Sequence, residues 1–320
     1  MKISEIGGEF ELIKMLTKNK YANPKIVKGI GDDCAVLKCN NEQKYLLVTT
    51  DMMVEEDHFN LNWHTPFQIG MKLLEVNVSD IVSMGGTPTF ALLSMSLPSS
   101  TTVEFMTAFY DGLYKSAERH NVFLIGGDTT HGSHFVFNIV LLGEISPNLL
   151  RLRSMAQVGD LICVTGKLGQ STAGLRLLLK EKKGYVKAHL EPKSRVISEG
   201  KVIASYANAM IDVSDGLGSE VTHICNESNT GACIINNNIP LDKSVIEAAN
   251  KLGDDPYDYA LYGGEDFEIV FTINKNKLKA LSQEFFDFTV VGQIIEKEKG
   301  VYLLKDDQKL PIKKGYDHFA

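Results

Sequence analysis

The stretch Lys72-Leu73-Leu74-Glu75-Val76-Asn77-Val78-Ser79-Asp80-Ile81-Val82-Ser83-Met84-Gly85-Gly86-Thr87-Pro88 decides how the rest of the chain is read. Up to Met84 the residues suit a helix, and Gly85-Gly86 followed by Pro88 stops one. Wound at about 100° per residue, Lys72, Glu75 and Ser79 share one polar edge. Asp80 falls elsewhere, among Ile69, Leu73, Val76 and Met84, on a face expected to be buried. An isolated carboxylate there costs on the order of several kcal/mol, so it must protonate, pair with a cation or bind a metal. A Lys or Arg partner, or a place at a cleft rim, would satisfy it without any function. The metal gains weight from further aspartates at turn-like positions beside small residues, with few basic neighbours.

The chain has 320 residues, enough for two domains with separate cores, and its 44% hydrophobic and 23% charged content suits a soluble globular protein. A net charge of −7 and the lack of a basic run argue against a dedicated nucleic-acid binder. Such a protein can still take anionic phosphates if metal ions bridge them. The cysteines, Cys34, Cys39, Cys163, Cys225 and Cys233, match no zinc spacing, and their odd number suggests reduced thiols. Met1 to Glu5 lacks the apolar core of a signal peptide, and no apolar run is long enough to span a bilayer. The expected location is the cytoplasm, with no membrane partner.

Outward from the central helix, three acidic turns stand out. Gly29-Ile30-Gly31-Asp32-Asp33 is a tight turn between extended segments, with two adjacent carboxylates that tolerate each other only in water or beside a cation. Tyr45 to Asp51 is a β-rich run ending in Thr49, Thr50 and Asp51, where a sheet presents a site. A loop with Glu55, Glu56, Asp57 and His58 follows. Val122 to Ile125 reads as a strand running into Gly126-Gly127-Asp128-Thr129-Thr130. Such glycines let backbone amides approach a phosphate and Asp128 hold a metal, although most such tripeptides are plain turns. Between these, 101–120 reads as an amphipathic helix with Phe105, Phe109, Leu113 and Ala117 on one stripe and Tyr110 beside it.

Pro147-Asn148 is the expected boundary between an N-terminal domain, residues 1–146, and a C-terminal one, residues 147–320. Beyond it, helices are expected over 171–183, 194–207 and 245–251. Ala209 to Ile211 is an apolar strand ending in Asp212-Val213-Ser214-Asp215-Gly216-Leu217. A turn there places two carboxylates and a hydroxyl near one point, or lets Ser214 or Asp215 cap the following helix. Gly263-Gly264-Glu265-Asp266 enters an alternating strand, with Glu265 either touching a small ligand or lying in a solvated turn. Walker-type, Rossmann and kinase glycine motifs are all missing, as is a Gly-x-Ser-x-Gly elbow. Oxygen-only donors select hard cations, Mg²⁺ before zinc, and several converging acids would need more than one ion. Multiple Mg²⁺ ions beside backbone amides suit a nucleoside triphosphate.

Taken in order, Gly29–Asp33, Thr49–Asp51 with His58, Asn77–Asp80 with Met84-Gly85-Gly86, Gly126–Thr130, Asp212–Leu217, Gly263–Asp266 and Gly315-Tyr316-Asp317-His318-Phe319 resemble the thiamine-monophosphate kinases of the aminoimidazole ribonucleotide synthetase-like superfamily. The resemblance covers nearly the whole chain. It implies an α/β (mixed α+β) fold of two domains, the N-terminal domains pairing their sheets in a homodimer. It implies transfer of the γ-phosphoryl group of ATP to thiamine monophosphate. By resemblance, metal ligands fall on Asp33, Thr49, Thr50, Asp51, Asp80, Asp128, Asp212 and Asp215. Nucleotide contacts fall on Tyr110, Gly127, Asp128, Arg153 and Ser214, and acceptor contacts on His58, Glu265 and Tyr316. Glu56-Asp57 before His58 and Cys34 after Asp33 depart from the family pattern.

The acceptor phosphate is already anionic, so no general base is expected; Asp51, Asp80 and Asp128 would act through metals. Selenophosphate synthetases carry a reactive Cys before the position of Cys34, and the hydrogenase-maturation relatives end in a cysteine tail; this chain has neither. A metal-dependent phosphatase would release phosphate without an acceptor, and a cation-binding protein would turn over nothing.

Overall fold

The computed structural model describes residues 3–6, 8–17, 23–39, 43–313 and 315. Two sheets organise them. The first has six strands in the order β1-β2-β3-β6-β4-β5. These are β1 (Ile26–Lys28), β2 (Ala35–Lys38), β3 (Tyr45–Val54), β4 (Thr87–Leu97), β5 (Phe123–His131) and β6 (Val136–Ile145). The second has seven, in the order β13-β12-β9-β11-β7-β10-β8. Its strands are β7 (Leu161–Thr165), β8 (Met210–Asp212), β9 (Gly231–Ile235), β10 (Ile269–Ile273), β11 (Phe288–Ile295), β12 (Val301–Lys305) and β13 (Gln308–Pro311). Pairing is antiparallel except for β4 with β5 and β9 with β12.

The strands follow from side-chain alternation. In β6, every second residue is buried, including Phe137, Ile139 and Leu141. The whole of β10 is buried, as a central strand covered on both faces should be. The helices are α1 (Glu9–Leu16), α2 (Pro66–Ser83), α3 (Val103–His120), α4 (Gln170–Leu179), α5 (Lys187–Leu190), α6 (Ile197–Tyr206), α7 (Leu217–Ser228), α8 (Lys243–Leu252), α9 (Pro256–Tyr262) and α10 (Leu278–Glu284).

Helix α2 is the hub. Thr65 caps it: its side chain accepts from Gln68 N, and the Gln68 side chain accepts from Thr65 N. The helix packs against β3, β4 and β6, beside α3, and against β8, α5 and α6 from the other half of the chain. It therefore has almost no solvent face. The polar edge of Lys72, Glu75 and Ser79 is fully buried, whereas Asp80, expected on the buried face, is only half-buried. Contact on every side of the helix is the reason.

Other boundaries moved. β3 does not end at Asp51, because Met52 to Val54 continue the ladder onto β6. Gly126 and Gly127 lie within β5, not after it, paired with Leu92 and Leu93 of β4. A Cβ on Gly127 would stand 1.7 Å from the Leu93 carbonyl oxygen, so the neighbouring strand already requires glycine there. Four expected helices shift: 101–120 becomes Val103–His120, 171–183 becomes Gln170–Leu179, 194–207 becomes Ile197–Tyr206 and 245–251 becomes Lys243–Leu252. Neither Ser214 nor Asp215 caps α7; its N-cap is Gly216. Instead the buried Glu220 reaches back, accepting from Asp215 N at 2.8 Å and from Ser214 Oγ at 3.3 Å.

Candidate active site

Four predicted acids lie around α2 where it runs between the sheets. Asp51 comes from β3, Asp80 from the last turns of α2, Asp33 from the bend before β2 and Asp212 from the end of β8. Thr49 donates to Asp80 Oδ2 and lies 3.3 Å from the Asp33 carbonyl oxygen. Ser83 Oγ donates to Asp33 Oδ2 at 2.6 Å. Ser79 Oγ donates to Asp212 Oδ2 at 2.7 Å, and Asn77 Oδ1 accepts from Asp51 N at 3.1 Å.

These carboxylates sense one another. Burial, then Asp51, Asp212 and Asp33, push the Asp80 carboxyl well above its ordinary value. Burial and the Asp33 charge raise Asp212 to about 8. Burial raises Asp51 to about 6, against a hydrogen bond with Asp80. Asp32, beside Asp33, is pushed up to about 7 by burial and by that neighbour. Such crowding of oxygen donors is relieved by a divalent cation, so the donor set fits a hard metal. Among the described residues, no three His, Cys, Asp or Glu side chains already close around one point.

Arg153 is bonded into this group. Its Nε donates to Asp33 Oδ1 at 2.9 Å, and its Nη2 donates to the same oxygen. Burial opposes its charge, but Asp33 and Glu220 hold the guanidinium firmly protonated. Asp215 stands at the rim, close enough to raise both Asp51 and Glu220.

Thr50 and Asp128 are placed differently. Across the first sheet Asp51 aligns with Ile139, Leu93 and Gly127 in turn, whereas Asp128 aligns with Ser94, Asn138 and Met52. Side chains alternate along each strand, so Thr50 and Asp128 lie on the open face and Thr49 and Asp51 on the helix-covered one. Thr50 and Asp128 are exposed, and Thr50 Oγ1 donates to Asn138 Oδ1 at 3.1 Å. Next to Asp128, a cavity of about 810 Å³ is lined by Tyr110, Asp111, Met106, Thr129 and Thr130. None of Asp33, Asp51, Asp80 and Asp212 lines it.

Glu265 sits on the other flank. Its backbone has φ +64, and its N–H donates to the Ser214 carbonyl at 2.9 Å. A Cβ on Gly264 would stand 1.9 Å from the same carbonyl oxygen, so this loop lies flat against Val213–Asp215. Glu265 Oε1 is 2.6 Å from Lys72 Nζ, and Oε2 is 3.3 Å from His189 Nδ1. It is no solvated turn. Burial opposes its charge, but Lys72 and His189 hold the carboxyl well below the usual range. His58 is half-buried, its Nδ1 accepting from Val54 N at 3.2 Å and its carbonyl from Lys72 Nζ at 2.9 Å. Tyr316 lies outside the described residues. No local pattern gives Lys72, His189 or Glu220 a functional role. Only Lys72, seven residues before Ser79 on the same helix edge, carried a signal.

Residues 31–145 match the family model of the AIR synthase related protein N-terminal domain. The thiamine-monophosphate kinase of Buchnera aphidicola (subsp. Acyrthosiphon pisum) is 39% identical, covering 97% of this chain and 98% of its own. That of Bacillus subtilis is 36% identical, covering 97% and 99%. A solved structure of AaThiL complexed with AMPPCP and TMP superposes with a TM-score of 0.88 at 36% identity, covering 100% of this chain and 99% of that one.

Proposed function

This chain belongs to the thiamine-monophosphate kinase family, and from that premise we propose how its acidic cleft works. The activity is ATP-dependent phosphorylation of thiamine monophosphate to thiamine diphosphate, with ATP as co-substrate. The observation that carries the site reading is the hydrogen-bonded placement of Asp33, Asp51, Asp80 and Asp212 around α2, held by Ser83, Asn77, Thr49 and Ser79.

We assign divalent cations, Mg²⁺ by donor chemistry, to Asp33, Thr49, Asp51, Asp80, Asp212 and Asp215. Bound there, they would neutralise the phosphate oxygens of both substrates. Thr50 and Asp128, on the open face, are assigned to the nucleotide end, with Gly127 and the Tyr110 cavity. Ser214 and Arg153 border the cluster from the other half, and Arg153 supplies a fixed positive charge for a phosphate. His58, Glu265 and Tyr316 are assigned to the acceptor.

The acceptor phosphate is an anion at neutral pH, so this chain's residues need only align two phosphates and offset their repulsion. No side chain is required as a base. A phosphatase reading lacks support, since the curated relatives are thiamine-monophosphate kinases, which pass the phosphoryl group to an acceptor. ADP formation from ATP, measured with and without thiamine monophosphate, tests this: strict acceptor dependence is expected, and acceptor-independent phosphate release would contradict it.

We further propose a division at residues 146 and 147, between the sheets. The open face of the first sheet exposes Phe90, Leu92, Phe123 and Ile125, which supports a homodimer built through it. All five cysteines are free, which supports a cytoplasmic location; no described helix is long and apolar enough to cross a membrane.

A further inference from the structure

Lys72 heads the largest fully buried side chains among the described residues, 1% exposed. Burying an ammonium against a carboxylate gains little stability over apolar packing, because both ions lose their water. What the pair does provide is direction. One Nζ reaches Glu265 Oε1 at 2.6 Å and the His58 carbonyl at 2.9 Å, so it ties the loop after β3 to the loop before β10. On the far side of Glu265, His189 Nδ1 lies 3.3 Å from Oε2 and 3.2 Å from Ser171 Oγ. His64 packs edge-on against His189, and its Nε2 is buried without a partner among the described residues. The φ of +64 at Glu265 adds backbone strain that these contacts and the Ser214 hydrogen bond hold in place.

We propose that Lys72 is a positioning residue for the acceptor. It fixes the Glu265 carboxylate toward the cationic heterocyclic part of thiamine monophosphate and holds the His58 loop at a set distance from it. This rests on the reading of Glu265 and His58 as acceptor contacts. Paired with Lys72, the Glu265 carboxylate still has lone pairs to spare, and as an acceptor-only group it suits the amino group of thiamine better than its phosphate. Lys72 itself is enclosed, with its charge spent on Glu265, and is not the phosphate ligand.

The test uses the full chain with Lys72→Met, Glu265→Gln and the double variant. It compares KM for thiamine monophosphate, KM for ATP and Ki for unphosphorylated thiamine as competitor. Lys72→Met is expected to raise the acceptor KM and the thiamine Ki by the same factor, about tenfold or more, with KM for ATP changed by less than about twofold. The double variant should be no worse than Glu265→Gln alone, because the two residues act as one unit. A rise for the phosphorylated acceptor only would make Lys72 a phosphate contact and overturn the proposal. So would parallel losses for ATP and acceptor with a lowered Tm, or an unchanged acceptor KM. If Lys72→Met does not fold, Lys72→Gln, which keeps a donor for the His58 carbonyl, is held to the same outcomes. Glu265→Gln separates the two levels. No effect on acceptor or thiamine removes the underlying reading of Glu265; weakening there but not at Lys72 removes only the positioning role.

Discussion

Ser79 Oγ donates to Asp212 Oδ2 at 2.7 Å, joining the helix that covers the first sheet to an edge strand of the second. Two further residues of α2 repeat the arrangement. Glu75 accepts from Ser194 N at 2.9 Å, and Lys72 meets Glu265. The helix edge that sequence periodicity marks as polar thus runs along the seam between the halves, and there Asp212 is brought to the acids of the first half.

Ser79→Ala should therefore loosen the seam. Loss of a hydrogen bond to a carboxylate costs about 1 to 3 kcal/mol. The denaturant midpoint should fall with an unchanged m-value, and an unchanged midpoint would show that the contact carries no stability.

Asp80→Asn removes one charge from a crowded group. Turnover should drop by about a hundredfold or more, the scale of losing one preorganised electrostatic contact. The Tm of the metal-free chain should hold or rise, since burial and the neighbouring acids already disfavour an ionised Asp80 and an amide avoids that cost. Measuring kcat and Tm on one preparation checks both; near-normal kcat would count heavily against a metal role.

Part of the acid sensitivity should trace to Glu75, beside the contribution of Glu265. Burial opposes its charge, but His120, Arg119 and Ser116 win, lowering its pKa from 4.5 to about 2. A depressed carboxyl stabilises the fold fully above its unfolded value and loses that contribution as pH falls toward the folded one. The window is therefore pH 4.5 down to about 2. The loss is on the order of 3 kcal/mol for this fully buried group. Stability against pH should flatten in that window in Glu75→Gln, at a lower plateau at neutral pH. An unchanged acid limb would place the sensitivity elsewhere.

Cation binding has a readout apart from turnover. Mg²⁺ added without nucleotide should raise the Tm of the wild-type chain, and Asp212→Asn should reduce the increment, because linkage follows affinity for the native state. Equal increments in both proteins would remove Asp212 from the metal set.

The proposed dimer is tested at Ile125, 57% exposed on β5. Ile125→Glu should give a monomer in sedimentation, since a charge at the centre of an apolar contact is left without a partner. A dimer unaffected by this change would place the interface on another surface.

Much of this was legible in the residues. Asp33, Asp51, Asp80 and Asp212 stood out by their small neighbours, and the structure gathers them. The 2-residue alternation at Thr49, Thr50 and Asp51 carried the split between faces, yet grouping by motif hid it. The place of Asp128 depends on the register of β5 against β4, which no local pattern holds. Lys72 was visible as a polar helix position, but its partners, His58 and Glu265, are 14 and 193 residues away along the chain. Long-range pairing also explains why β3 runs on to Val54 and why Gly127 belongs to a strand.

Acids from both halves of the chain are proposed to hold the cations that carry the phosphates. A crystal structure with Mn²⁺, a non-hydrolysable ATP analogue and thiamine monophosphate, with anomalous scattering locating the metal, tests it most directly. Manganese peaks bounded by Asp33, Asp51, Asp80 and Asp212 are the predicted result. Manganese bound away from α2, with those four carboxylates uncoordinated, would contradict it.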